Sequence, residues 1–108
     1  MILYGIPTCD TCKKAQKALS AAGIEVTFRD VRAEPLSPSE WQTLLMEFGD
    51  ALVNHNSTTW RGLSDWMKAS DADAQLEANP ALMKRPVLTD GETFTLGWDA
   101  AVQAKWGA

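Results

Sequence analysis

The sequence predicts an α/β fold: a four-stranded mixed sheet with a helical insertion between its second and third strands. Three observations carry that expectation. The chain opens on a strand-length apolar run that gives way to helical and then alternating periodicity. Its middle reads as helix, and it closes on two short strands and a helix.

Residues 2–6 are the opening strand, an apolar run ending at Gly5 and Pro7. From Asp10 the period changes. Ala15, Ala18, Leu19 and Ala22 recur at i, i+3, i+4, i+7, one stripe of a helix, and Gly23 is a natural residue just past its end. Ile24, Val26 and Phe28 then alternate with Glu25, Thr27 and Arg29, as in a half-buried strand. A right-handed crossover makes these two strands parallel.

Ser37-Pro38-Ser39-Glu40 reads as a capping box with proline at the first helical position. Trp41, Leu44, Leu45 and Phe48 form the apolar stripe behind it, and Gly49 ends the helix. A polar loop, residues 54–59, leads into Trp60-Arg61-Gly62-Leu63, and residues 64–83 predict one or two short helices broken near Pro80. Arg85-Pro86-Val87-Leu88-Thr89 is a strand approached through proline, Asp90-Gly91 a hairpin signal and Thr93-Phe94-Thr95 the return strand. A last helix is expected from about Trp98, with Ala101, Val102, Lys105 and Trp106 on one side. The order β-α-β, helices, β-β-α is that of a thioredoxin-like fold. At 108 residues the length suits one domain, residues 1–108, with the insertion over about 36–83.

The balance of 45% hydrophobic and 22% charged residues is enough to bury a core without disulfides or structural metal. A formal net charge of -4 argues against broad nucleic-acid binding, which needs a field of Lys and Arg. No apolar stretch approaches the roughly 18 residues that span a bilayer. The chain starts directly on Ile2-Leu3-Tyr4 without a charged leader, so a cytoplasmic location is the default expectation.

Only two cysteines are present, Cys9 and Cys12, at the first strand-to-helix junction. Unpaired N–H groups and the macrodipole at a helix start stabilise a thiolate, and the thiolate is the nucleophile. Cys9, at the expected N-cap and the more exposed of the two, takes the attacking role. Lys13 adds positive charge one turn on, and Asp10 partly opposes it. Cys12 is within reach to resolve a mixed disulfide by exchange. The pattern also suits half of a zinc site, but that needs two further ligands. His55 is the only histidine and no other Cys exists, so no metal is expected. Two inert, partly buried cysteines are the remaining alternative.

Taken together, residues 4–15 (Tyr-Gly-Ile-Pro-Thr-Cys-Asp-Thr-Cys-Lys-Lys-Ala), Thr58-Thr59-Trp60-Arg61, Lys84-Arg85-Pro86-Val87-Leu88 and Leu96-Gly97-Trp98 resemble the arsenate reductase (ArsC) family. Within it they look most like the YffB group, with the Spx regulators as cousins. The resemblance runs from about residue 2 to 106. It implies that Cys9 is the nucleophile, that Arg61 and Arg85 line an anion site facing its sulfur, and that Pro86 is a cis-proline. Two guanidinium groups would lower a thiolate's pKa and clamp an oxyanion or a carboxylate. Without the resemblance, both arginines read as solvated surface residues.

The arsenate reductases carry a third arginine where this chain reads Leu96-Gly97-Trp98, and usually Ser and Arg where it has Cys12 and Lys13. The resemblance therefore implies glutathione-dependent thiol/disulfide reduction, as in the YffB group. Arsenate reduction and a Spx-like redox regulator of RNA polymerase are the alternatives. Glutathione is the expected co-substrate, with no bound cofactor. A small thiol or oxyanion is the expected substrate, glutaredoxin a candidate partner, and the chain a monomer. Lys13, Lys14 and Lys17 make a basic face that either guides an anionic thiol or is only a solvated helix side. The five tryptophans are expected mainly in the core, Trp60 excepted, and His55 at the surface.

Overall fold

Apolar runs of strand length and the amphipathic segments between them fold, in a computed structural model describing residues 1–108, as follows. The chain forms β1 (Ile2–Gly5), α1 (Asp10–Ala21), β2 (Thr27–Asp30), α2 (Pro38–Phe48), a 3-10 turn (Gly49–Leu52), α3 (Thr58–Arg61) and α4 (Asp65–Lys68). It continues through α5 (Ala72–Ala78), a second 3-10 turn (Pro80–Leu82), β3 (Val87–Thr89), β4 (Phe94–Leu96) and α6 (Ala100–Trp106). Residues 1–30 with 85–108 make one compact unit, and residues 31–84 another.

The first unit holds the whole sheet, in the order β2-β1-β3-β4. β1 pairs parallel with β2 and antiparallel with β3, and β3 pairs antiparallel with β4. This is the thioredoxin-like arrangement, with the helical insertion between β2 and β3. β3 lies inside the sheet, and Val87, Leu88 and Thr89 are all buried. Leu3, Cys12, Ala15, Leu19, Leu88 and Val102 form the core.

α1 ends as its glycine predicts. Gly23 sits at φ +81°, its N–H donates to Ser20 O at 3.0 Å, and Ile24 N–H donates to Leu19 O at 3.0 Å, a Schellman close. Its buried stripe is Cys12, Ala15 and Leu19: of the expected series Ala15 and Leu19 are buried, Ala18 is half-buried and Ala22 exposed, and Cys12 joins them. Ala22 caps the helix in solvent, so the inward face begins one turn earlier, with a thiol. β2 also differs from expectation. Thr27 stands opposite Ile2, the first residue of β1, so residues 24–26 lie past the end of the partner strand. Ile24 and Val26 instead pack their side chains on the core.

Asp90 closes the β3–β4 turn, its Oδ1 accepting from Glu92 N–H at 2.9 Å and Thr93 N–H at 2.8 Å. α6 starts two residues after Trp98, because Asp99 Oδ1 accepts from Val102 N–H at 2.9 Å and so caps it. Val102 is its buried residue, while Ala101 and Lys105 face solvent. Trp106 donates from Nε1 to Thr95 Oγ1 at 2.8 Å.

The second unit is helical. Ser37 completes the capping box: its Oγ accepts from Glu40 N–H at 3.2 Å, and its own N–H donates to Glu40 Oε1 at 2.9 Å. Trp41 and Leu44 turn inward from α2 and are buried. The 54–59 segment is only partly loop, since Ser57 Oγ accepts from Trp60 N–H at 3.1 Å and starts α3. A short bridge pairs Val53 with Met83, and Asn54 N–H donates to Leu82 O at 2.8 Å. Gln75 is buried on α5 and donates from Nε2 to the carbonyls of Met67, Lys68 and Ser70 at 3.2, 3.1 and 2.9 Å. It thus gives the carbonyls at and just past the end of α4 a side-chain donor, although Met67 O also accepts from Ser70 N–H at 3.1 Å. Trp41 is the one tryptophan fully in a core, and Trp66 is 77% exposed, against the expectation for tryptophans at helical spacing.

Candidate active site around Cys9

The chain leaves β1 through Ile6-Pro7-Thr8 and turns straight into α1. Cys9 N–H donates to Ile6 O at 3.0 Å, which tightens this turn, and Cys9 O accepts from Lys13 N–H at 3.1 Å. Cys9 is thereby the N-cap, in extended conformation at φ -81° and ψ 118°. Both thiols are free; Cys9 is half-exposed and Cys12 fully buried.

Burial is the largest single influence on the Cys9 thiol and resists its ionisation. It is outweighed by the backbone of Cys12, the Cys12 thiol, and the hydrogen bond and positive charge of Arg85, so the pKa is lowered. Burial is also the largest influence on Cys12. With the neighbouring Cys9 sulfur adding to it, and the Ile6 backbone and Arg85 opposing, its pKa is pushed up to about 12. The two sulfurs are therefore driven apart in character. One is a half-exposed thiol whose ionisation is favoured, and the other a neutral thiol in the core.

Gly5, at the end of β1, makes room for the second. A β-carbon built there would stand 2.5 Å from Cys12 Sγ and 3.1 Å from Leu3 Cδ2. Sequence reasoning passed over this glycine as a strand terminator. The available signal was its place beside a cysteine-bearing helix, where backbone and side chain approach closely.

Arg85 precedes β3 and is half-buried, and the Arg85–Pro86 peptide is cis, with Pro86 itself buried. Gly97 N–H donates to Pro86 O at 2.9 Å and ties this corner to β4. Cys9, Cys12 and Arg85 are thus brought together in the first unit. Lys13 lies exposed on the second turn of α1. Arg61 belongs to the second unit, exposed at the end of α3. Its Nη2 donates to Asn56 O at 3.1 Å and its Nε to Ser57 O at 3.5 Å, so the guanidinium is held by its own loop. His55 is exposed and meets the half-buried Trp60 edge-on, with ring centroids 4.4 Å apart. No group of three or more His, Cys, Asp or Glu side chains is arranged to hold a metal ion, and no helix is long and apolar enough to cross a membrane.

A model of the ArsC family matches residues 4–105. A protein of Haemophilus influenzae is 43% identical over 98 residues, which span 85% of this chain and 86% of that protein. The global transcriptional regulator Spx 1 of Oceanobacillus iheyensis is 29% identical over 103 residues, 90% of this chain and 79% of the regulator. Among solved structures the YffB protein matches with a TM-score of 0.89 at 33% identity, covering 99% of this chain and 98% of that one.

Proposed function

This chain belongs to the ArsC family, and on that basis we propose that it is a glutathione-dependent thiol/disulfide reductase of the cytoplasm with Cys9 as nucleophile. The observation that carries the reading is the Cys9 thiol at the head of α1, its pKa lowered against burial by the Cys12 backbone, the Cys12 thiol and Arg85.

The thiolate of Cys9 attacks the glutathione sulfur of a mixed disulfide. A Cys9–glutathione disulfide forms, and the substrate leaves as a thiolate that takes a proton from solvent. A thiolate from a second glutathione, or from a glutaredoxin, then attacks the glutathione sulfur of that adduct. The product is a disulfide containing glutathione, and Cys9 is regenerated as thiolate. Arg85 stabilises Cys9 as nucleophile and again as leaving group, since the same charge favours the anion in both steps. Lys13 and Arg85, both in the first unit, are the cations we assign to holding the anionic partner, with the Arg85 guanidinium suited to bidentate contact with a carboxylate. The chain acts as a monomer in this reading.

The test is reduction of a glutathione mixed disulfide by excess glutathione, comparing wild type with Cys9→Ser. Turnover that vanishes in the variant supports the reading. Absence of activity in wild type, or full activity in Cys9→Ser, refutes it. Arsenate in the same assay separates the arsenate-reductase alternative.

The similarity to Spx 1 favours one second reading, a redox-responsive regulator that binds RNA polymerase. Retention of the polymerase α subunit on the immobilised protein, in either redox state, would support it, and no retention in both would remove it.

A further inference from the structure

We propose that Cys12 is a positioning residue and not a resolving one: its buried thiol donates to the Cys9 thiolate and stays reduced through turnover, so the Cys9–glutathione disulfide is cleaved only by an external thiol. This rests on the reading of Cys9 as the nucleophile of a glutathione-dependent reductase.

Geometry is the first support. Cys12 has 0% exposure and shares the core with Leu3, Ala15, Leu19, Leu88 and Val102, all apolar. To resolve a Cys9 adduct it must first give up its proton, and full burial among these side chains disfavours the anion that would result. The second support is Gly5. Its missing side chain leaves a recess into which Cys12 Sγ projects, only 2.5 Å from where a β-carbon would stand. A sulfur held in such a recess is fixed in direction, so its weak S–H donor can stay directed at the charged acceptor Cys9. It is poorly placed to swing out and attack the adduct in line. The third support is electrostatic. A thiol pushed up to about 12 is ionised in only on the order of one molecule in 10⁵ near pH 7. Forming the Cys9 adduct removes the anion beside it but leaves it just as buried. Charged groups on the elements around the pair are Asp10, Lys13, Lys14 and Lys17 on α1, Arg29 and Asp30 on β2, Lys105 on α6, and Arg85. Arg85 acts on both sulfurs.

In balanced form, the resolving route that is ruled out would be attack of Cys12 on the Cys9 sulfur. That would form a Cys9–Cys12 disulfide, break the Cys9–glutathione bond, expel glutathione thiolate and release the Cys12 proton. The route proposed breaks the same bond with a glutathione thiolate and leaves Cys12 protonated.

The experiment treats the full chain with oxidised glutathione, removes free thiols and follows the protein by mass spectrometry. A glutathione adduct that persists until reduced glutathione is added is the expected result. Conversion to an internal disulfide with loss of the adduct overturns the proposal. A second measurement stands apart from the glutathione reading. The pH profile of Cys9 alkylation is compared in wild type, Cys12→Ala and Cys12→Ser. Losing a hydrogen bond to a charged group slows alkylation on the acid limb about tenfold in Cys12→Ala, with partial recovery in Cys12→Ser. Superimposable profiles overturn the proposal even if no adduct ever forms. A failure to form the adduct with the profiles shifted as expected counts against glutathione and leaves the role of Cys12 supported.

Discussion

Replacing Gly5 by alanine puts a methyl carbon 2.5 Å from Cys12 Sγ and 3.1 Å from Leu3 Cδ2. Good contact lies at about 3.5–4.0 Å, so the approach to sulfur is roughly 1 Å too close. Neither neighbour has room to retreat, since Leu3 and Cys12 are both at 0% exposure, and β1 is held between β2 and β3. Overpacking of this kind costs about 1–3 kcal/mol. Alanine returns about 0.5–1 kcal/mol, because it has less backbone freedom to lose than glycine in a strand. The net loss is therefore centred on about 1 kcal/mol and reaches at most about 2.5 kcal/mol, with a fall in Tm of roughly 4–8 °C per kcal/mol for a chain of this size. Urea unfolding at pH 7 measures it as a lower midpoint with an unchanged slope. The double variant Gly5→Ala/Cys12→Ala removes the sulfur that the methyl meets. It is expected to recover about 1 kcal/mol relative to the sum of the single changes. A loss under about 0.5 kcal/mol, or simple additivity in the double variant, would refute the idea that Cys12 is wedged against β1.

Three other outcomes follow from the same geometry. Cys12 has a raised pKa, so its contribution to stability is complete below the ordinary thiol value near 9 and is lost as pH rises from there towards 12. Wild-type stability relative to Cys12→Ala should fall by up to about 1.4 kcal/mol per pH unit above pH 9, and a flat difference between pH 8 and 10.5 would contradict it. Arg85→Met should slow alkylation of Cys9 several-fold on the acid limb and weaken its dependence on salt, because both the hydrogen bond and the charge are lost. Gln75→Ala should cost about 1–3 kcal/mol by urea titration, with faster amide exchange in α4, since three carbonyls lose their buried donor.

Local signals were the readable part of this sequence. The change of period between residues 2–6 and the helix from Asp10 located the Cys9–Cys12 junction. Ser37-Pro38-Ser39-Glu40 announced α2, and Gly23 the end of α1, because caps are short-range chemistry. The start of β2 was misplaced, since alternation continues through Ile24 and Val26 although β1 extends no further to pair with them. α3 was missed as a helix because four residues give too little periodicity, even with Ser57 available as its cap. Gln75 could not be foreseen, as its partners lie five to eight residues away, on α4 and in the turn just after it. The site divided in the same way. Cys9 was legible from its place at a helix start. Arg85, over 70 residues along the chain, acquired a partner at Cys9 only through resemblance to a family, since no local pattern links a strand-entry arginine to a distant thiol.

That separation has a consequence for the order of events as the protein is made. Cys9 and its helix lie within the first 30 residues, whereas Arg85 joins them through the pairing of β3 with β1, after residues 31–84 have been synthesised. Translation proceeds at about 5–20 residues per second, so for some seconds a growing chain carries the cysteine without its cation. During that interval the sulfur has the helix start but neither the guanidinium hydrogen bond nor its charge. The Arg85 contribution to the Cys9 thiol is delivered only when the last quarter of the chain closes the sheet, which makes the lowering of its pKa in part a by-product of finishing the fold.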